Sequence, residues 1–349
     1  MKILRKPVIR VTGPTGVDLV GRWGQALLGV TITDHAGHES DECVIRLRRA
    51  PPWDAPPPTG ARYTVEVGWA GAGLAMTGVY TTQRHRISGS PEEGEEIEVV
   101  CRAADFLDKG KAVDSEHFDE ENGHGTAGKI FETLAARMGV EAVVDAEIAA
   151  VAVPYRLRWR QSAIDFASEL ADDVGAVAKP QAGKLVVTKR GGGSSASGKA
   201  LPPVHVVYDE SYAFDVNGEP RGSYAKTSSP WFDGEAGRDD VEEFDSASAT
   251  SASGDIHPAP SKEEAKSRAS AAGDAQARGG LTGSFEMAGN AAAVAGAPLI
   301  ASGFGAGVDD VDWRIGTVTH DITPDVGWVT TVEVETKPKK KEEKKKAAT

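Results

Sequence analysis

Cysteine is scarce in this chain, with only Cys43 and Cys101 among 349 residues. Neither has zinc-site spacing to other ligand residues. Both lie in strand-like contexts, ECVIRLR and IEVVCRA, where they could pair across a sheet. Buried free thiols are the favoured reading for a protein made in a reducing compartment. Aromatic residues are only 6% of the chain, so individual cores are expected to be small. No apolar run approaches the length that spans a bilayer, which argues against a membrane partner. No signal peptide is visible at MKILRKPVIRV, so synthesis and folding in a cytoplasm are expected. The sequence has no Gly-x-Ser-x-Gly elbow, no P-loop and no dinucleotide fingerprint. GAGLAMTG and GFGAGVDD are glycine-rich but lack the strand-then-helix setting that cradles phosphate, so no cofactor is expected. Excess cation is also missing. A net charge of −13 argues against sequence-independent duplex binding, which needs clustered Lys and Arg, and suits a surface that nucleic acid slides past.

Turn formers and β-branched residues are abundant. Forty Gly and nineteen Pro, separated by Val- and Thr-rich runs, favour a β-dominated protein of two or three domains. Residues 1–104 contain six such runs: VIRVT, LLGVTITD, CVIRLRR, RYTVEVGW, MTGVYTTQRHRIS and EIEVVCRAA. Loop chemistry such as GPTG and PPWDAPPPTG divides them, which suggests a small barrel or folded sheet.

Residues 105–260 read as a mixed middle region. Thr126 can cap a helix to Met138, with Ile130, Leu134 and Met138 at helical spacing and Gly139 as terminator. The unit 155–190 follows: an extended run, a helix opened by Ser162 and Asp165 and ended by Gly175, then a hairpin of Ala176–Lys179 with Leu185–Lys189. GGGSSASGKA and SASATSASGDIHPAPS read as flexible linkers, and the segment from Val204 to Asp233 reads as a β piece packed on the middle region. Residues 261–278 read as a helix capped by Ser261, with Ala265, Ala269 and Ala272 on one small-residue face. Residues 279–336 read as a C-terminal β domain. In it, Ile315 and Val318 face Val329, Val332 and Val334 across a hairpin, and Trp313 and Trp328 are candidates for capping a barrel. Residues 337–349, KPKKKEEKKKAAT, read as a solvated charged tail.

Catalytic and metal chemistry has few candidates. HFDEENGHGT places His117, Asp119, Glu120, Glu121 and His124 together, and imidazole and carboxylate are both metal ligands. The spacing of the two histidines fits neither a helical nor a finger site, so a solvated acidic loop is the favoured reading. Pairs such as Glu92/Glu93 and Asp172/Asp173 are expected by chance among 52 acidic residues. His320 beside a strand turn reads as a satisfied structural residue.

Two stretches carry a family resemblance. The order YRLRWRQSAIDFASELADDVGAVAKPQAGKLVVTKR resembles the late control D family, the baseplate hub proteins of contractile-tailed phages, and the hub part of VgrG spikes. A second match runs through Gly289, Gly296, Phe304, Asp309, Asp310, Trp313, Ile315, Val318, His320, Gly327, Trp328, Thr330 and Thr331. The stretch GNAAAVAGAPLI departs from the Gly-Asp-Pro turn usual there. The resemblance implies a mainly β fold with a few short helices (α+β), in which two small β-barrel domains flank a mixed middle region. It implies a non-enzymatic homotrimeric ring that adapts a sixfold tail tube to a threefold spike and lets DNA pass. Its partners would be other copies of itself, a separate spike, a tube or tube-initiator protein, and wedge and tape-measure proteins. Its location would be the virion tail baseplate. The competing reading is a cell-wall-degrading tail enzyme or other β-rich hydrolase, with HFDEENGH as its local candidate site.

Overall fold

A computed structural model describes residues 6–51, 55–92, 94–103, 109–181, 183–218, 226–245, 252–277, 280–324 and 327–336. The charged tail and the serine-rich stretch 246–251 lie outside them.

All six runs of the first hundred residues are strands: β1 (Pro7–Thr12), β2 (Leu27–His35), β3 (Glu42–Arg49), β4 (Arg62–Trp69), β5 (Gly73–Ser90) and β6 (Gly94–Arg102). A short helix α1 (Val20–Trp23) interrupts the first connection. The strands pair in the order β1-β4-β5-β6-β3-β2. The long β5 serves two neighbours, pairing with β4 through its first half and with β6 through its second, and its register breaks between Thr82 and Arg84. Such an irregularity bends a strand and lets one sheet fold over its own core. Val11, Val30, Ile45, Val65 and Val99 fill that core. Cys43 and Cys101 are buried free thiols placed directly opposite each other on β3 and β6.

The middle region has a core of its own. It comprises β7 (Val113–Asp119), α2 (Ala127–Met138), β8 (Glu141–Val144), α3 (Ala146–Ala149), β9 (Tyr155–Ser162), α4 (Ala163–Asp173), β10 (Ala176–Gln181) and β11 (Lys184–Lys189). The apolar faces of α2 and α4, led by Ile130, Phe131, Leu134, Phe166 and Leu170, bury against Leu185 and Val187 of the hairpin. Ser162 caps α4 as expected, since its Oγ accepts from Asp165 N at 3.1 Å and donates to Asp165 Oδ2 at 2.6 Å. Gly175 follows with φ +69°, the left-handed turn that ends the helix. β7 and β9 form a separate two-stranded ribbon.

GGGSSASGKA forms a closed reversal. Ser195 N donates to Lys199 O, and Leu201 N to Gly193 O, both at 2.8 Å. Beyond it, β12 (Val204–Val207) and β13 (Phe214–Asn217) join the C-terminal strands instead of packing on the middle region. Val204 and Val206 alternate with exposed neighbours, and the apolar surface that receives them is that of the last sheet. A three-stranded sheet of β14 (Lys226–Asp233), β15 (Arg238–Asp245) and β16 (Ala252–Gly254) packs one face on α5 (Lys262–Ala277), where Ala265 and Ala269 are buried.

β17 (Thr282–Ala288), β18 (Pro298–Ser302), β19 (Trp313–Thr323) and β20 (Gly327–Thr336) complete the chain. The predicted hairpin is β19–β20, with Ile315 opposite Val334 and Val318 opposite Val332. β19 also pairs with β2, Thr317 opposite His35 through Ile322 opposite Val30. The N- and C-terminal β units are therefore joined edge to edge in one twelve-stranded sheet. No helix among the described residues is long and apolar enough to cross a membrane.

Candidate interaction surfaces

The seam between the two β units is built by residues of the second sequence motif. Trp313 behaves as a core residue of its own unit, its indole N–H donating to Val308 O at 2.9 Å. Trp328 instead enters the N-terminal core and stacks on Trp69 with ring centroids 5.1 Å apart. Trp69 Nε1 donates to Gly289 O at 3.1 Å. A Cβ on Gly289 would lie 2.1 Å from Trp328 Cδ2, so only glycine permits this approach. His320 is 2% exposed beneath the pair. Trp328 Nε1 is solely a donor and points at His320 Nδ1, 3.3 Å away, so the imidazole is neutral with its proton on Nε2. Burial lowers its pKa to about 4, against smaller opposing effects of Asp34 and the Ala293 backbone. His320 is a satisfied core residue.

Two buried charge clusters fix the middle region to its neighbours. In the first, Lys179 of β10 reaches Asp34 Oδ1 at 3.1 Å, pairs with Asp41, and donates to His35 O. Asp34 Oδ2 accepts from Ala295 N at 2.8 Å, so one side chain ties together all three parts of the chain. One cation between the buried Asp41 and the half-buried Asp34 leaves a surplus negative charge. Burial and the neighbouring Asp34 push Asp41 up to about 7, while Lys179 and the Ala295 amide hold Asp34 low despite burial. At the rim His38 bonds Asp172 at 3.1 Å, and Arg190 pairs with the same carboxylate. In the second cluster Glu264 of α5, wholly buried, pairs with Arg156 of β9 and with Arg268 at 2.9 Å. Asp173 at the end of α4 pairs with both arginines.

The structure places the candidate ligand residues apart in function. His117 Nδ1 lies 3.0 Å from the Tyr155 hydroxyl on the ribbon's surface. Asp119 accepts from Asn122 N at 2.8 Å and from Asn122 Nδ2 at 2.9 Å, which closes a turn. His124 Nε2 faces Thr133 Oγ1 at 3.0 Å, with its ring edge-on to Phe118. Among the described residues no three His, Cys, Asp or Glu side chains gather in a way that could hold a metal ion. Glu120 and Glu121 stay in an exposed turn.

Two β ribbons are among the places where large apolar residues stay exposed, though sequence reading assigned no surface role to either. On β9 the outward residues are Tyr155, Leu157 and Trp159, the last 67% exposed. On the β14–β15 hairpin they include Phe232 at 56% and Val241 at 49%. The period-2 alternation YRLRWR was the available signal for the first, since it places three arginines on one face and three apolar residues on the other.

No protein-family model matches the chain. Over 215 residues, 61% of the chain, it is 30% identical to the probable baseplate hub protein of Escherichia phage P2, and over the same length 29% identical to that of Escherichia phage 186. The chain spans about half the length of these curated relatives, 54% and 53%. Its fold is similar to that of a tail protein from Neisseria meningitidis MC58, with TM-score 0.67 at 14% identity, covering 95% of this chain and 96% of the other. It is also similar to the 43 kDa tail protein of prophage MuSo2 from Shewanella oneidensis, with TM-score 0.65 at 13% identity, covering 93% and 97%. A type VI secretion component of E. coli matches at TM-score 0.52 and 12% identity, covering 90% of this chain and 74% of its own. The resemblance to the phage hub family and the mainly β fold read from the sequence are both borne out.

Proposed function

We propose, from the premise that this chain is similar to phage baseplate hub proteins in sequence and to phage tail proteins in fold, that it is a hub subunit of a contractile-tail baseplate. In this reading it organises an injection machine and carries out no catalysis. Three copies form a ring. Each copy contributes two β units, so six units surround the axis and present a near-sixfold face to the tail tube or its initiator. The opposite, threefold face seats a separate spike protein, and wedge and tape-measure proteins contact the periphery. DNA passes through the channel without specific binding, which the net charge of −13 favours. Assembly takes place in the host cytoplasm and the product resides in the virion tail.

The observation that carries this reading is the edge-to-edge joining of the two β units through β2 and β19. One continuous sheet, with six strands from each β unit, is an element from which a threefold ring can offer six positions. The cluster around Lys179 supports it, because it ties the middle region to β2 of that sheet.

Light scattering on a size-exclusion column, at several concentrations and with the spike protein added, tests the reading. A trimer, alone or on addition of the spike, is expected. A chain that stays monomeric with every tail protein overturns the ring.

A further inference from the structure

Two ribbons in this molecule are covered on one face and bare on the other. The β7–β9 ribbon turns Phe118, Arg156 and Arg158 toward the middle region and turns Tyr155, Leu157 and Trp159 outward. A tryptophan 67% exposed on a regular strand is costly unless something covers it. Its neighbour Arg160 has φ +48°, and no other non-glycine residue among those described has positive φ. Arg160 N is held by Ser115 Oγ at 3.0 Å, across from a register break between Asp114 and Glu116. Backbone strain of this kind persists where a side chain must be aimed. The side chain it aims is an exposed cation beside Trp159, with no acidic partner among the described residues.

The β14–β15 hairpin is one-sided in the complementary sense. Thr227, Ser229 and Phe244 face α5. The outer face presents Pro230, Phe232 and Val241, with Asp239 directly opposite Phe232. Asp239 is exposed and forms no ion pair among the described residues. One patch is thus apolar with a free cation, and the other is apolar with a free carboxylate.

We propose that the outer face of the β7–β9 ribbon of one copy docks on the outer face of the β14–β15 hairpin of the next. This rests on the reading of the chain as a cyclic trimer. A ring requires two different patches on each subunit that complement each other head to tail, and these two satisfy the requirement in apolar character and charge. Trp159 is the anchor, Phe232 and Val241 form its seat, and Arg160 faces Asp239.

The test uses the full chain and two substitutions at exposed positions, Trp159→Glu and Val241→Arg, each checked for native circular dichroism. Light scattering should find the unsubstituted chain trimeric and each variant monomeric, with self-association weakened at least about 100-fold. An equimolar mixture of the two variants should form a one-to-one dimer and nothing larger. The intact ribbon of the Val241→Arg chain meets the intact hairpin of the Trp159→Glu chain, and the remaining patches are dead. If the unsubstituted chain is trimeric and either folded variant stays trimeric, the docking is overturned and the hub reading stands. If the variants are monomeric but their mixture is too, the pairing of these two patches is overturned. If the unsubstituted chain is monomeric at every concentration and with the spike present, the trimer reading fails and the docking fails with it.

Discussion

At the scale of single residues, the seam depends on groups that tolerate no extra atom or charge. Gly289→Ala drives a methyl into Trp328, which must leave its stack on Trp69. We expect a loss of about 1–3 kcal/mol, as for overpacked cores, with a changed near-ultraviolet dichroism from the two indoles. Chemical denaturation of the variant beside the parent chain checks both. His320 makes the seam sensitive to acid. Its pKa is about 4 in the folded chain against 6.5 for the free side chain. The unfolded state therefore takes up a proton first as pH falls, and stability drops between about 6.5 and 4, by up to about 3 kcal/mol for this group. His320→Gln carries no such proton. Urea midpoints at pH 7.5 and pH 5 should fall further for the parent than for the variant, and equal falls would remove His320 as the cause. The sequence showed that His320 and Trp328 belonged to one strand pair. It did not show that Trp328 crosses into the other unit's core, because that contact comes from residues some 259 positions apart, Trp328 and Trp69.

At the scale of elements, α5 is held by charge more than by apolar area. Its buried apolar side chains are Ala265 and Ala269, and each contributes little apolar surface. The buried Glu264 meets Arg156 and Arg268, and burial raises its pKa while the two guanidinium groups pull it down. Replacing Glu264 by Ala leaves two guanidinium groups partly buried around Asp173 alone. Removal of one partner from such a network costs about 3–5 kcal/mol. Limited proteolysis should then cut near α5 in the variant under conditions that spare the parent; identical digestion patterns would show that α5 docks by other means. Local signals made α2, α4 and the β10–β11 hairpin legible, since Ser162, Gly139 and Gly175 sit where the caps require them. The destination of β12 and β13 was not legible. A four-residue alternating run specifies a half-buried strand and leaves open which sheet receives it. The charge clusters were hidden for the same reason: Asp34, Asp41 and Lys179 look like ordinary surface residues until three distant segments converge.

At the scale of the whole molecule, the two β units are one folding object. The N-terminal core includes Ile322 and Trp328, which arrive from the end of the chain, and β2 has β19 as its outer neighbour. A fragment of residues 1–103 would lose both apolar side chains and expose the full edge of β2, with Val30 and Ile32 on its inner face. An uncovered edge of this length pairs with other chains more readily than with water. The fragment should therefore aggregate or unfold without cooperativity, while the intact chain melts in a transition shared by indole fluorescence and far-ultraviolet dichroism. A soluble fragment with its own sharp transition would mean that the seam joins two independently stable barrels. In that case the angle between the β units would be adjustable in a ring. With the seam as a shared core, the angle is set once, when the last strand pair closes against the first sheet.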